Sequence, residues 1–294
     1  MELYQRKVYK LYTVPAIVVT IILVFVPLIY GLYLSFTNYD LLKNTNDFVG
    51  IKNYIKVFSD LDFYKAIGRN IAYVILVVSF NFIIGFGMAY ICSRYNFFGN
   101  KLLRFVIVLP MLLIPASAGV LWRFMYNSEV GFINSILSLL GLPGVGWLVS
   151  TKLALLSVII TDIWAWTPLM FLILLSGIEG LDKDVLDAAN VDGANNFQII
   201  KNVILPMIWP IILIAVSLKS IETFRTFDYV WIMTTGGPGS ASDITSTFIY
   251  KKAFKHLQYG YASALSLVVL VVVAILAIFI VRKLIARGDR LNEE

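Results

Sequence analysis

Six stretches of about 20 mostly apolar residues dominate the chain, the length an α-helix needs to cross the hydrocarbon core of a bilayer. They lie at roughly 14–36, 70–93, 105–126, 153–178, 203–222 and 261–281. In lipid each must satisfy its own backbone hydrogen bonds, so the expected fold is all-α: a polytopic membrane protein with six transmembrane helices. Of the 294 residues, 59% are hydrophobic and only 14% are charged, too few charges to cover the surface of a soluble domain. There is one cysteine, Cys92, so no intramolecular disulfide can form. With His256 the single histidine, a His/Cys metal site is close to excluded, and no metal ligands are expected.

The first stretch, VPAIVVTIILVFVPLIYGLYLSF, follows Arg6, Lys7 and Lys10, as a signal peptide would. It is too long for a signal-peptide core and no small-residue cleavage site closes it, so a retained helix is expected. Six crossings put both termini on one side. If that side is the cytoplasm, twelve Lys and Arg residues fall on the inner segments and eleven on outer segments of greater total length. The higher inner density predicts cytoplasmic termini, and Arg282-Lys283 directly after the last stretch is the strongest single signal. Residues 1–13 and 282–294 are then cytoplasmic tails around a membrane domain at 14–281. The net charge of +6 marks sidedness and not a nucleic-acid partner. No G-x-x-x-x-G-K-[ST] pattern occurs, so this chain is not expected to cradle nucleotide phosphates in that way.

The segment GLDKDVLDAANVDGANNFQIIKNVILPMIWP (180–210) is polar yet patterned. Val185, Ala188, Ala189 and Val191 give a short helix with a modest apolar face. Gly193 stands where that helix would end in the left-handed region. Helical periodicity restarts at Ala194 and runs to Ile204, and Pro206 and Pro210 fall at the start of the next span. An ordinary amphipathic connector would carry the same pattern.

Asp187-Ala188-Ala189, Asp192-Gly193-Ala194 and Leu205-Pro206 together resemble the EAA loop (about 180–206) of binding-protein-dependent ABC importers. Gly193 stands four residues after Ala189, as that pattern requires. Aspartate at 187 replaces the usual glutamate, keeping the charge and shortening its reach by one methylene. TFDYVWIMTTGGP (226–238), FVGIKNYIKVF (48–58) and LLRFVIVLPMLLIPASAGVLWRFMYN (102–127) resemble segments of sugar permeases of the maltose and glycerol-phosphate type. The resemblance implies the type I ABC importer permease fold in a bacterial inner membrane. It implies a second homologous permease, a dimer of ATPase subunits that binds the ATP and Mg, an extracytoplasmic solute-binding protein and a sugar substrate. No cofactor is expected in this chain. Asp187, Ala188, Ala189, Asp192 and Gly193 would couple to the ATPase, because a rigid helix between two spans transmits a push that a loose loop would absorb.

Charges within the spans mark the other candidate site. Asp162 lies in the fourth stretch and Lys219 and Glu222 near the end of the fifth. Such groups face a cavity or one another, because burying them in lipid costs a few kcal/mol each. Lys219, Glu222 and Thr226 recur at helical spacing, with Thr223 one turn from Lys219. They either neutralise each other as an i,i+3 pair or form a polar wall of a translocation path. Alignment with maltose-type permeases implies that Asp162, Trp166, Lys219, Glu222, Thr223 and Thr226 bind substrate. Lys219 and Arg225 would also suit an anionic sugar. Trp164 is expected to pack. Pro110 and Pro115 break the third span, either as a kink or beside the pore. The competing functions are an ion-coupled secondary carrier using Asp162 and Glu222, and a membrane enzyme. No internal repeat supports the carrier and no nucleophile–base set supports an enzyme.

Overall fold

A computed structural model describes residues 2–95 and 98–292. Met1, Glu293 and Glu294, at the ends of the expected tails, lie outside the described residues. The chain runs as α1 (Glu2–Ser35), α2 (Lys52–Ser59), α3 (Leu61–Arg94), α4 (Asn100–Val108), α5 (Pro115–Met125), α6 (Phe132–Leu139) and α7 (Ala154–Glu179). It continues as α8 (Lys183–Val191), α9 (Asn196–Ile199), α10 (Leu205–Met207), α11 (Trp209–Phe224), α12 (Asp228–Thr234), α13 (Thr245–Tyr250) and α14 (Tyr259–Asn292). The described residues form no strand, only three isolated bridges. The all-α expectation holds.

Among the described residues, three helices are each long and apolar enough to cross a membrane: the Thr13–Ser35 part of α1, then α3 and α7. Two further spans are broken. Asn100–Leu112 meets α5 at 97°, and Asn196–Met207 meets α11 at 74°. The first break follows from its prolines. A 3₁₀ turn covers Leu109–Leu112, and Pro115 opens α5, so Ile114 is held extended at φ −62, ψ 138. A residue before proline is pushed out of the helical region by the pyrrolidine ring. The second break sits at Ile208, between Pro206 and Pro210, after a π-type turn over Ile200–Ile204. The third stretch is broken at its prolines, as expected, and the fifth, for which no break was expected, is a bent pair as well. The sixth stretch lies within α14, which begins at Tyr259.

The chain divides into two units. In the smaller one, residues 1–63 and 249–272, α1 exposes apolar side chains from Val14 to Tyr33, as suits a helix whose solvent is lipid. Asn53 on α2 donates to the carbonyls of Ser35 and Thr37, both at 2.8 Å. Tyr261 donates to Asp60 at 2.6 Å. Burial raises the Asp60 pKa, but the bonds from Tyr261 and from the amides of Asp62 and Phe63 outweigh it and hold the carboxyl below the usual range.

In the larger unit, residues 64–248 and 273–294, α7 is the central helix and two apolar clusters lie along it. One joins Ala89 and Tyr90 of α3 to Phe171 and Leu174 of α7 and to Ile204, Ile208 and Ile212. The other joins Tyr73 and Val77 of α3 to Val158 and Ala165 of α7, Ala118 of α5 and Val230 of α12. Between them Thr167 donates to Asn81 at 2.8 Å. Gly85 lets α3 approach α7 closely: a Cβ there would sit 3.1 Å from the Phe171 backbone nitrogen. Small residues at such crossings are the usual route to tight helix packing in lipid.

Candidate functional site

Two helices of the larger unit bring charge together inside the apolar core, and a third adds a phenol. Lys219 of α11 points its Nζ at Asp162 Oδ1 of α7 at 3.0 Å and at Glu222 Oε2 at 2.6 Å. Tyr73 of α3 donates its hydroxyl to Asp162 Oδ2 at 2.7 Å. The ammonium also sits 4.8 Å from the Trp166 ring centroid. Asp162 is 0% and Lys219 2% exposed, so neither charge is compensated by solvent. Pairing must do it, because one unpaired ion at such depth costs several kcal/mol.

The local i,i+3 pair of Lys219 and Glu222 is therefore one arm of a three-charge cluster. Asp162, Trp166, Lys219 and Glu222 are brought together as a group. Thr223 is fully buried beside them, with no hydrogen-bond partner for its hydroxyl among the described residues. Thr226 does not share their helical face, since α11 ends at Phe224 and the Thr226 amide bonds to the Thr223 carbonyl at 3.1 Å. It lines, with Glu222, Arg225 and Asp228, a cavity of ≈ 330 Å³. Trp164 packs as expected, edge-on to Trp122 at 5.4 Å. Sequence reasoning missed Tyr73. Its one signal was a phenol within an apolar stretch, 89 residues from its partner.

The second site is α8. Asp182 caps its N-terminus by accepting from the Asp184 amide. At its other end Gly193 adopts φ +77. The Ala194 amide bonds to the Ala189 carbonyl at 3.0 Å and the Gly193 amide to Asn190 at 3.1 Å. These two bonds make a Schellman motif, which ties off the last carbonyls of the helix. A capping box between Asn195 and Gln198 restarts the chain at α9. The turn expected at Gly193 is present.

The apolar face of α8 is not the one expected from Val185, Ala188, Ala189 and Val191. Leu186 and Ala189 pack on the core, whereas Val185, Ala188 and Val191 are exposed. Residues 186, 189 and 190 share one side at helical spacing, and 185, 188 and 191 fall on another. Asp187, Asp192 and Gly193 are exposed too. Arg94 at the end of α3 donates to Asn190 at 2.5 Å, and Tyr90 donates to Asn196 at 3.2 Å. A cleft of ≈ 450 Å³ beside α8 is lined by Arg94, Glu179, Lys183 and Asp187. The helix is thus fixed on its inner side and bare on its outer side.

Residues 81–290 match the family described as binding-protein-dependent transport system inner membrane component. A probable ABC transporter permease protein of Sinorhizobium fredii is 34% identical over 283 residues, covering 96% of this chain and 91% of its own. The trehalose/maltose transport system permease protein of Thermococcus litoralis is 30% identical, covering 92% and 90%. The structure of a bacterial alginate ABC transporter, in complex with a pentasaccharide-bound periplasmic protein, contains a chain of the same fold. It superposes with a TM-score of 0.83 at 22% identity, over 95% of this chain and 94% of that one.

Proposed function

The chain belongs to the family of binding-protein-dependent transport system inner membrane components, and on that premise we propose that it is the permease subunit of an ATP-driven sugar importer. It receives a sugar or oligosaccharide from an extracytoplasmic solute-binding protein and passes it to the cytoplasm. It pairs with a second, homologous permease in a bacterial inner membrane, with both termini cytoplasmic. A dimer of ATPase subunits binds ATP and Mg and supplies the energy.

The observation that carries this reading is α8. Both ends are capped, Arg94 holds its inner side, and Val185, Ala188 and Val191 stand bare in solvent. An exposed apolar strip on a rigid helix fits a partner surface. Motion of that partner would reach α3 through Arg94 and α11 through α9. On the path itself, Glu222 and Thr226 face the cavity, while Asp162, Lys219 and Thr223 stand behind them with Trp166.

The family match favours the importer over the ion-coupled alternative, and both carboxylates which that alternative would use contact Lys219. The test is uptake by the complete complex in proteoliposomes. Vanadate should stop it and an uncoupler should leave it intact, and the purified chain alone should hydrolyse no ATP. Uptake that collapses with the uncoupler would overturn the proposal.

A further inference from the structure

The charge arrangement at the end of α11 bears on which sugars this site accepts. We infer that it selects uncharged, hydroxyl-rich sugars against anionic ones, and that Lys219 is a positioning residue and not a ligand for substrate. This rests on the proposed function, which puts the cavity on the transport path.

An ammonium has three N–H donors. Two directions of Lys219 are taken by Asp162 at 3.0 Å and Glu222 at 2.6 Å, and the indole of Trp166 covers another. The side chain is 3% exposed, so a substrate carboxylate or sulfonate cannot reach the nitrogen without displacing a carboxylate already there. The same contact uses a face of Trp166, which is then not a free platform for a sugar ring.

Charge balance points the same way. Asp162, Lys219 and Glu222 together carry one net negative charge. Arg225 and Asp228, which line the cavity with Glu222, add no net charge. Arg225 is an exposed cation, but it is flanked in the cavity by two carboxylates. An anionic sugar therefore meets net like charge at short range. A neutral sugar meets acceptors instead. The Glu222 side chain is 37% exposed; one oxygen holds Lys219 and the other is open to a hydroxyl. Phe227 lines the same cavity, its ring stacked on Trp231 at 5.6 Å, and offers an apolar surface for sugar C–H groups.

The test is equilibrium binding of two probes to the assembled permease–ATPase complex in nanodiscs, without binding protein, followed by tryptophan fluorescence. The probes are a maltooligosaccharide and the same chain with one glucose oxidised to glucuronate. The neutral probe should bind at least about tenfold more tightly, the equivalent of about 1.4 kcal/mol. Glu222→Gln removes the net negative charge and should narrow that ratio. Asp162→Asn with Lys219→Met removes a neutral pair and should leave the ratio unchanged. Equal or tighter binding of the glucuronate in the wild type would overturn the inference alone. So would a double variant that co-purifies normally but loses only the glucuronate. Binding of neither probe to the wild type would overturn the proposed path together with the inference.

Discussion

Gly193 offers the cleanest perturbation of α8. Its φ of +77 lies where L-residues are disfavoured, and a Cβ added there would meet no atom within 4 Å. A substitution therefore costs backbone strain alone, without a clash. That strain is about 1–2 kcal/mol for an ordinary L-residue, least for Asn and more for a β-branched one. At about 1.4 kcal/mol per tenfold, the turn would be lost in an extra 5- to 30-fold share of molecules. Losing it breaks the bonds from Ala194 to Ala189 and from Gly193 to Asn190 and re-aims α8 relative to α9. The membrane core packs elsewhere, so assembly should survive. We expect uptake and substrate-stimulated ATPase activity to fall in the order Gly, Asn, Ala, Val in proteoliposomes. Co-purification of the ATPase should be normal for Asn and Ala. Wild-type rates in Gly193→Val, or damage in Gly193→Asn equal to that in Gly193→Val, would refute the reasoning.

Three further outcomes follow from the geometry. Asp187 is exposed beside the cleft at α8, so Asp187→Ala should weaken ATPase stimulation several-fold while Asp187→Glu is tolerated; equal damage from both would exclude a charge contact. Tyr73→Phe strips the donor from a fully buried Asp162 oxygen and should lower complex stability by about 1–3 kcal/mol, read as a shift in thermal melting. Gly85→Leu forces side-chain atoms against Met170 and the Phe171 backbone; it should destabilise by about 1–3 kcal/mol or more, measured as lost yield of folded complex.

How much of the fold was legible depends on the range of the interaction that sets it. The six stretches were legible because lipid imposes length and apolarity on each one separately. The turn at Gly193 was legible for the same local reason: a short helix stopped by a residue that tolerates positive φ. The bends were legible only as breaks. Pro110 and Pro115 announce lost hydrogen bonds, but the 97° angle arises from a 3₁₀ turn, an extended Ile114 and the packing of both arms against α7. The face of α8 was misjudged for a related reason. Valine at 185 and 191 is as apolar as Leu186 and Ala189, and composition alone does not say which side meets Ile178 and Ile204 in the core. The side lost to the core is the one left bare for a partner.

At the charged cluster the same limit changes how a mutation must be read. Lys219 and Glu222 sit one turn apart, so their pairing follows from spacing within a helix. Asp162 is 57 residues away, and nothing in either segment announces that α7 turns it toward α11. On the sequence alone, replacing Lys219 and Glu222 together removes a self-contained pair and leaves no stranded charge. In the structure that double change removes the cation paired with Asp162, which is fully buried and, among the described residues, keeps the Tyr73 hydroxyl. A buried carboxylate without its partner costs about 3–5 kcal/mol, enough to disturb assembly whether or not sugar ever touches the site. Failed uptake in that double variant therefore says nothing about the translocation path. The informative set strands no buried charge: Asp162→Asn with Lys219→Met, which leaves the partly exposed Glu222 alone, or all three changes together. If these variants assemble and their uptake still fails, the polar groups and not their mutual neutralisation are what transport requires.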